Sequence, residues 1–309
     1  MVQSQQVFKQ IRDLVQAGHS ARMQIAMDGK SCIREFSAPQ RLILLGGGHI
    51  SMALCHFASQ LEFDVVVVDD RPTFANSRLF PTAKQIVCNE FRQAIRDLKI
   101  TDNDFVCVVT RGHRYDGDCL REIFAGTYPL YLGMIGSKKR VYQLFQLLNS
   151  EGFDKSLTDR VCSPIGLKIG AITPQEIAIS ILAELIDYRS RAAKAATEQN
   201  ILTQKNVDMD LLNYLADSPE PKAIAIVLES RGSTPVASGS VMAVNPLGQT
   251  HGTIGGGCSE GAVIRDAIKI AKNGGSKIIY VDMTNDVAES EGMVCGGVMW
   301  VLVDQIVND

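Results

Sequence analysis

The sequence predicts an α/β protein: a Rossmann-like domain built on a parallel sheet, plus a second, smaller α/β domain that bears cysteines. Three observations predict it. From residue 40 to 190, short runs that are apolar throughout alternate with helical patterns, and strands buried on both faces belong to a parallel sheet covered by helices. The first of these runs opens into a glycine-rich turn. Beyond residue 221 the pattern changes to hairpin-forming runs and two cysteines set among glycines, Cys258 and Cys295. A chain of 309 residues fits two domains. The expected division is 1–190 for the Rossmann-like domain with an N-terminal helix and hairpin, 191–221 for a polar helical linker, and 222–309 for the cysteine-bearing domain.

Each element follows in order. Val2 to Gln16 reads as an amphipathic helix. RMQIAMDGKSCIREF then gives two alternating runs around Asp28-Gly29, a pair that tolerates the positive φ of a tight hairpin. RLILLGGG is a strand ending in a glycine turn, HISMALCHFASQL a helix and DVVVVDD a second strand. KQIVC, DFVCVVT and LYLGMIG are further strands, each followed by helical sequence. ITPQEIAISILAELIDYRSRAAKAA is a helix that Thr173 caps, with Pro174 in its first turn and Glu176 placed to complete a capping box. It turns polar from Asp187, which marks the expected linker. AIAIVLES is a strand, and VMAVNPLGQTHGTI a hairpin around Pro246-Leu247-Gly248. GGGCSEGAVIRDAIKIAKNGG is a glycine loop running into a helix, SKIIYVDM a strand, and GMVCGGVMWVLVDQI a glycine-flanked cysteine leading into a terminal strand.

Composition bounds the function. With 46% hydrophobic and 21% charged residues the chain is an ordinary folded protein, not a disordered one. No apolar run approaches the roughly 20 residues of a membrane span, and the start lacks the basic-then-apolar pattern of a secretion signal. A cytoplasmic protein without a membrane span is expected. The net charge of −3 gives no case for a nucleic-acid partner. That total hides a split, since residues 1–195 carry 24 basic and 20 acidic side chains and the remainder 7 and 14. Two units with different surfaces follow. The eight cysteines form no CxxC pair, which argues against a zinc ribbon. Cys55, Cys88 and Cys107 are expected to be small core hydrophobes.

Several constellations carry possible chemistry. In LLGGGHIS, Gly46, Gly48 and Ser51 occupy the three positions of GxGxxG, and His49 opens the following helix. Glycines let a phosphate approach the backbone, and a helix N-terminus offers unpaired N–H groups. Asp69 and Asp70 end the second strand, 21 and 22 residues after Gly48, where a ribose-binding acid is expected; Asp69 is the candidate. TRGHRYDGD places Arg111, His113 and Arg114 after another strand, as cationic donors to an anion. IGSKKR supplies Ser137 as a cap and Lys138, Lys139 and Arg140 near a helix start. A solvated basic face is the bland alternative for both loops. In HGTIGGGCSE, Gly256 and Gly257 precede Cys258, and Glu260 lies two residues into the helix. A helix N-terminus lowers a thiol pKa. Cys295 sits in EGMVCGG, and Arg231 and Ser233 lie in a turn-rich loop suited to an oxyanion.

Taken together, GGGHIS, VVDDRPTFAN, VVTRGHRYD, LGMIGSKKR and SPIGLKIGAITPQEIAISILAEL resemble the Rossmann-like domain of the XdhC/CoxI family, and ESRGSTP, HGTIGGGCSE and EGMVCGG resemble that family's cysteine-bearing domain. The resemblance covers residues 39–190 and 222–305. Two departures stand out. The cysteine-bearing domain commonly comes first in the family, and here the order is reversed. The family's loop after Ser-x-Pro commonly has a basic residue followed by Pro-Gly, where this chain has Val236 and Ser238-Gly239.

The resemblance implies an accessory protein, or chaperone, rather than a turnover enzyme. Such a factor binds the molybdenum cofactor, a molybdopterin, protects it, assists its sulfuration and inserts it into a xanthine dehydrogenase-type molybdenum hydroxylase. Its implied partners are the apo hydroxylase and a cysteine desulfurase, and its implied state is a homodimer. By the same carry-over Cys258 and Cys295 touch molybdenum through the cofactor or transfer sulfur. The residues themselves leave two alternatives open. One is an NAD(P)-dependent oxidoreductase, with NAD(P) or another nucleotide in the Rossmann-like site. The other is a sulfurtransferase carrying a persulfide on Cys258.

Overall fold

The computed structural model describes residues 3–27, 30–198, 201–204, 207–283 and 297–307. The chain divides into two units, Pro39–Ala192 and, built from both ends of the chain, Met1–Ala38 with Ala193–Asp309. The N-terminal part supplies β1 (Gln3–Ser4), α1 (Gln5–Gln16), β2 (Ala21–Met27) and β3 (Lys30–Phe36). β2 and β3 pair antiparallel from Ala21↔Phe36 to Met27↔Lys30, which is the expected hairpin. Its turn residues, Asp28 and Gly29, lie outside the described residues.

The continuous unit then runs β4 (Arg41–Leu45), α2 (His49–Ser59), β5 (Asp64–Asp69), β6 (Gln85–Cys88), α3 (Phe91–Leu98), β7 (Phe105–Val108), α4 (His113–Ala125), β8 (Tyr131–Met134), α5 (Lys138–Ser150), α6 (Lys155–Asp159) and α7 (Pro174–Glu198). Its strands lie in the order β6-β5-β4-β7-β8, each neighbouring pair parallel. Side chains alternate between two cores. Ile43, Leu45, Val66, Val68, Val106 and Val108 pack with α3, α4 and α5, while Leu42, Leu44, Val65, Val67, Phe105 and Cys107 pack with α2 and α7. Burial on both faces explains why these strands read as unbroken apolar runs. The order reverses at β4, whose neighbours β5 and β7 diverge, so the crevice beyond its carboxyl end is the usual ligand position in such sheets. At the start of α7 the capping box forms: Glu176 Oε2 accepts from the N–H groups of Ile172 and Thr173 at 2.8 and 2.9 Å, and Thr173 Oγ1 accepts from Glu176 N at 3.3 Å.

The chain then re-enters the other unit with β9 (Ile201–Gln204), α8 (Met209–Asp217), β10 (Lys222–Arg231), β11 (Val241–Val244), β12 (Thr250–Gly252), α9 (Gly257–Asn273), β13 (Ser276–Asp282) and β14 (Val298–Val307). One sheet follows the order β1-β14-β10-β11-β12, with β13 also on β14; β9 joins β3 in a second sheet. One core joins Phe8, Ile11 and Val15 of α1, Met23 and Ile25 of β2 and Leu211, Leu212 and Leu215 of α8 to Ile224 and Leu302 of the larger sheet. Opposite, α9 covers the sheet through Val263, Ala267 and Ala271 against Ala225, Val227 and Val301.

Two expectations change. Residues 1–38 belong with the cysteine-bearing unit, because the apolar face of α1 packs on α8 and on the sheet that β14 and β10 build. Residues 191–221 are more than a linker: the last turns of α7, strand β9 and the half-buried helix α8 occupy them. The charge split shrinks in consequence. Residues 39–192 carry 18 basic and 17 acidic side chains, and the rest of the chain 13 and 17. Cys55 and Cys107 are buried as expected, but Cys88 is exposed, because it ends the edge strand β6. Among the described residues no helix is long and apolar enough to cross a membrane.

Candidate functional site

At the carboxyl edge of the parallel sheet, the loop after β4 is shaped by contact with the loop after β7. Gly46 has φ 122°, and a β-carbon there would fall 2.4 Å from the carbonyl oxygen of Val109. Only glycine permits that approach. Gly48, φ −77°, precedes α2 without a side-chain cap and has open space around it. His49 is exposed beside it. The buried hydroxyl of Ser51 donates back to the carbonyl of Gly46, fixing the loop from inside the helix.

The two aspartates ending β5 divide their work. Asp69 is 1% exposed. Its Oδ2 accepts from Gly47 N at 2.8 Å and Arg71 Nη2 at 3.0 Å, while Oδ1 accepts from Arg71 N and Nε at 3.1 and 2.9 Å. Its carboxylate therefore holds the glycine loop, whereas the expectation from spacing was a ribose contact. Asp70 is the more open acid, and both its oxygens are held by the Arg111 guanidinium, at 2.8 Å on Oδ2. That pair keeps the Asp70 carboxyl below its usual pKa range and the Arg111 guanidinium above its own. Arg111 also lies over the Tyr115 ring, 4.0 Å from its centroid, and donates to the Tyr115 hydroxyl at 2.5 Å.

Beyond β7 and β8 the basic residues converge. Arg140 Nε sits on the edge of the His113 ring, 3.2 Å from Nδ1 and in contact with Nε2. Ser137 caps α5, its Oγ accepting from Arg140 N at 3.4 Å. Lys138 is exposed in the first turn of that helix. Beneath His113, the buried Asp116 accepts from Thr110 Oγ1 at 2.6 Å. Burial raises its pKa, against the opposing pull of the Thr110 bond and the charges of His113 and Arg140. Eight of the expected positions (Gly46, Gly48, His49, Asp69, Arg111, His113, Ser137 and Lys138) thus share one sheet edge, with α2 and α4 starting there without side-chain caps.

In the other unit, the glycine loop before α9 is organised by Glu260. Its Oε1 accepts from Thr253 Oγ1 at 2.5 Å and from Ile254 N at 2.8 Å. Burial acts to raise the Glu260 pKa, but these bonds and those from the backbone of Gly256 and Gly255 hold it below the usual range. Glu260 is therefore the loop's anchor. Gly256, φ 69°, precedes Gly257, the first residue of α9. Cys258 lies in the first turn of α9 and its side chain is outside the described residues, as is Cys295.

A single loop, Arg231–Pro235, touches the described ends of both cysteine motifs. At Gly255, φ 126°, an added β-carbon would fall 2.5 Å from Pro235 Cγ. At Gly297 one would fall 2.5 Å from Thr234 Cγ2, 2.7 Å from the carbonyl oxygen of Arg231 and 2.8 Å from that of Ser233. Glycine is thus required on both sides of this loop. Ser233 is exposed at its tip, and Arg231 pairs with Glu229 at 2.6 Å and lies 5.2 Å from the Trp300 ring centroid. His251 stacks on Tyr214 at 3.7 Å, a structural role. Sequence reasoning misses Thr253 and Pro235. Their part depends on contacts between loops distant along the chain, which no local spacing encodes.

Comparison with known proteins agrees with this division. Residues 42–185 match the family model of the XdhC Rossmann domain, and residues 215–282 match that of the XdhC and CoxI family. A probable xanthine dehydrogenase subunit from Bacillus subtilis is 33% identical over 161 residues, 52% of this chain and 46% of that protein. The uncharacterized protein YqeB of Escherichia coli is 33% identical over 153 residues, 49% of this chain and 28% of that protein. A solved structure of a xanthine dehydrogenase from Bacillus halodurans has 32% identity and a TM-score of 0.48, covering 56% of this chain and 49% of that one. The matched stretch thus spans less than half the length of each curated relative. With both of its units matched in turn, the chain belongs to the XdhC and CoxI family.

Proposed function

We propose that this chain is an accessory factor of a xanthine dehydrogenase-type molybdenum hydroxylase. It holds the molybdenum cofactor as cargo, shields it, assists its sulfuration and delivers it to the apo hydroxylase. One observation carries the reading: the loop Arg231–Pro235 is flanked by the glycine ends of both cysteine motifs, at Gly255 and Gly297. The glycines let one loop pack against both motifs, three residues before Cys258 and two after Cys295, and a soft thiolate suits a metal centre already bearing sulfur ligands. Glu260 keeps the first of these loops in shape, and Gly256 and Gly257 let it turn into α9. In the Rossmann-like unit, taken by itself, Gly48, Arg111, His113, Ser137 and Lys138 supply backbone N–H groups and cations suited to an anionic ligand, around a loop that Gly46 shapes. The chain contributes binding, orientation and exclusion of water; a cysteine desulfurase supplies the sulfur. We assign this work to a cytoplasmic homodimer.

The test is reconstitution. Apo hydroxylase, isolated molybdenum cofactor and a desulfurase system are combined with and without the purified chain. Activation that depends on the chain is expected. Equal activation without it contradicts the proposal. Titration with NADH and NADPH in parallel separates the oxidoreductase alternative, which requires saturable binding and turnover by the chain alone.

A further inference from the structure

Between α4 and α5 lies a cleft of about 340 Å³. It is displaced from the glycine loop toward β8, the far side of the sheet from β5. One end is cationic: His113 and Arg114 open α4, and Arg140 enters from α5. Arg114 has no ion-pair partner among the described residues, and the side-chain hydrogen bonds of Arg140 go to the His113 ring. The cleft's other arginine, Arg121, is neutralised by Glu151 at 2.6 and 2.7 Å. Asp118, on the same wall, is held by Arg92. The remaining wall is formed by Gln143, Leu144 and Leu147, the last 49% exposed. Gly117 makes the room, since a β-carbon there would fall 3.2 Å from Leu144 Cδ1.

Two guanidinium groups with no carboxylate in ion-pair contact among the described residues, lining the same cleft as an imidazole, suit a phosphate. The volume exceeds what a bare phosphate fills and lies in the range of small-molecule sites, about 300–1,000 Å³. We propose that this cleft binds a phosphomonoester of an apolar organic group. His113, Arg114 and Arg140 hold the phosphate, and the organic group lies against Leu144 and Leu147. The inference does not depend on the cofactor reading. The phosphate chemistry stands on these side chains alone, one strand removed from the glycine loop where a dinucleotide would be sought.

Calorimetric titration of the full-length chain with phenyl phosphate, inorganic phosphate and phenol tests it. Phenyl phosphate is expected to bind about tenfold more tightly than inorganic phosphate, and phenol not measurably. The double variant Arg114→Gln, Arg140→Gln alters two exposed side chains, so folding is retained. It is expected to lose at least about tenfold in affinity for both phosphates. Leu147→Ser is expected to erase the preference for phenyl phosphate while keeping inorganic phosphate. Undiminished phenyl phosphate binding in the double variant, or no saturable binding of either phosphate to the native chain, overturns the proposal. Intact phenyl phosphate binding in a chain that never carries molybdopterin removes the cofactor reading and leaves the cleft standing; the converse result removes the cleft alone.

Discussion

Arg111 and Asp70 form a two-point ion pair that joins the carboxyl ends of β7 and β5, the two strands flanking β4. The pair frames the glycine loop and keeps Arg111 over Tyr115. With side chains 32% and 25% exposed, it is screened by solvent, and breaking it with Arg111→Gln is expected to cost at most about 1 kcal/mol. The pH dependence has a definite sign. The folded Asp70 pKa lies below its unfolded value of about 3.9. Its contribution is therefore complete above that value and is lost as pH falls through the folded one. Chemical denaturation of native and Arg111→Gln chains from pH 7 downward checks this: the two are expected to differ at neutral pH and converge in acid. A constant gap contradicts the assignment.

The glycine loop gives a sharper contrast. Gly46→Ala places a β-carbon 2.4 Å from a backbone oxygen and strains a φ of 122°, at a cost of about 3 kcal/mol or more. Gly48→Ala meets nothing within 4 Å and is expected to stay within about 0.5 kcal/mol of the native chain. Thermal melts of the two variants decide the matter, and equal losses would refute the close packing of the two loops.

Much of this is legible in the sequence because the signals are local. The apolar runs of β4, β5 and β7, the glycine turn after Leu45, the Thr173–Glu176 cap and the hairpin around Gly248 each reside in a few consecutive residues. The amphipathic face of α1 is visible too, but such a face says only that it is buried and not against what. Its partner, α8, lies some two hundred residues away and reads as linker because polar residues flank its leucines. The same limit applies at the site. The spacing from Gly48 points to Asp69, yet spacing does not reveal that Arg71 and Gly47 already hold its oxygens.

Glu260 tests the second unit. Glu260→Gln exchanges a charged acceptor for an amide at Thr253 and Ile254, and is expected to cost about 1–3 kcal/mol. The folded pKa is depressed, so the native chain keeps this stabilisation above the unfolded value of about 4.3 and loses it as pH falls through the folded value. Hydrogen exchange at Ile254 and Gly255 reads the loop directly. Faster exchange in the variant is expected at neutral pH, and unchanged protection would show that Glu260 does not anchor the loop.

The most direct measurement is the molybdenum and pterin content of the chain purified without oxygen from cells that make the cofactor. The native protein is expected to carry both in equal amounts. Cys258→Ala and Cys295→Ala are expected to lose most of them, while Cys55→Ala, in the core of the other unit, keeps them. A native chain free of molybdopterin, or cysteine variants that retain it fully, would contradict the account.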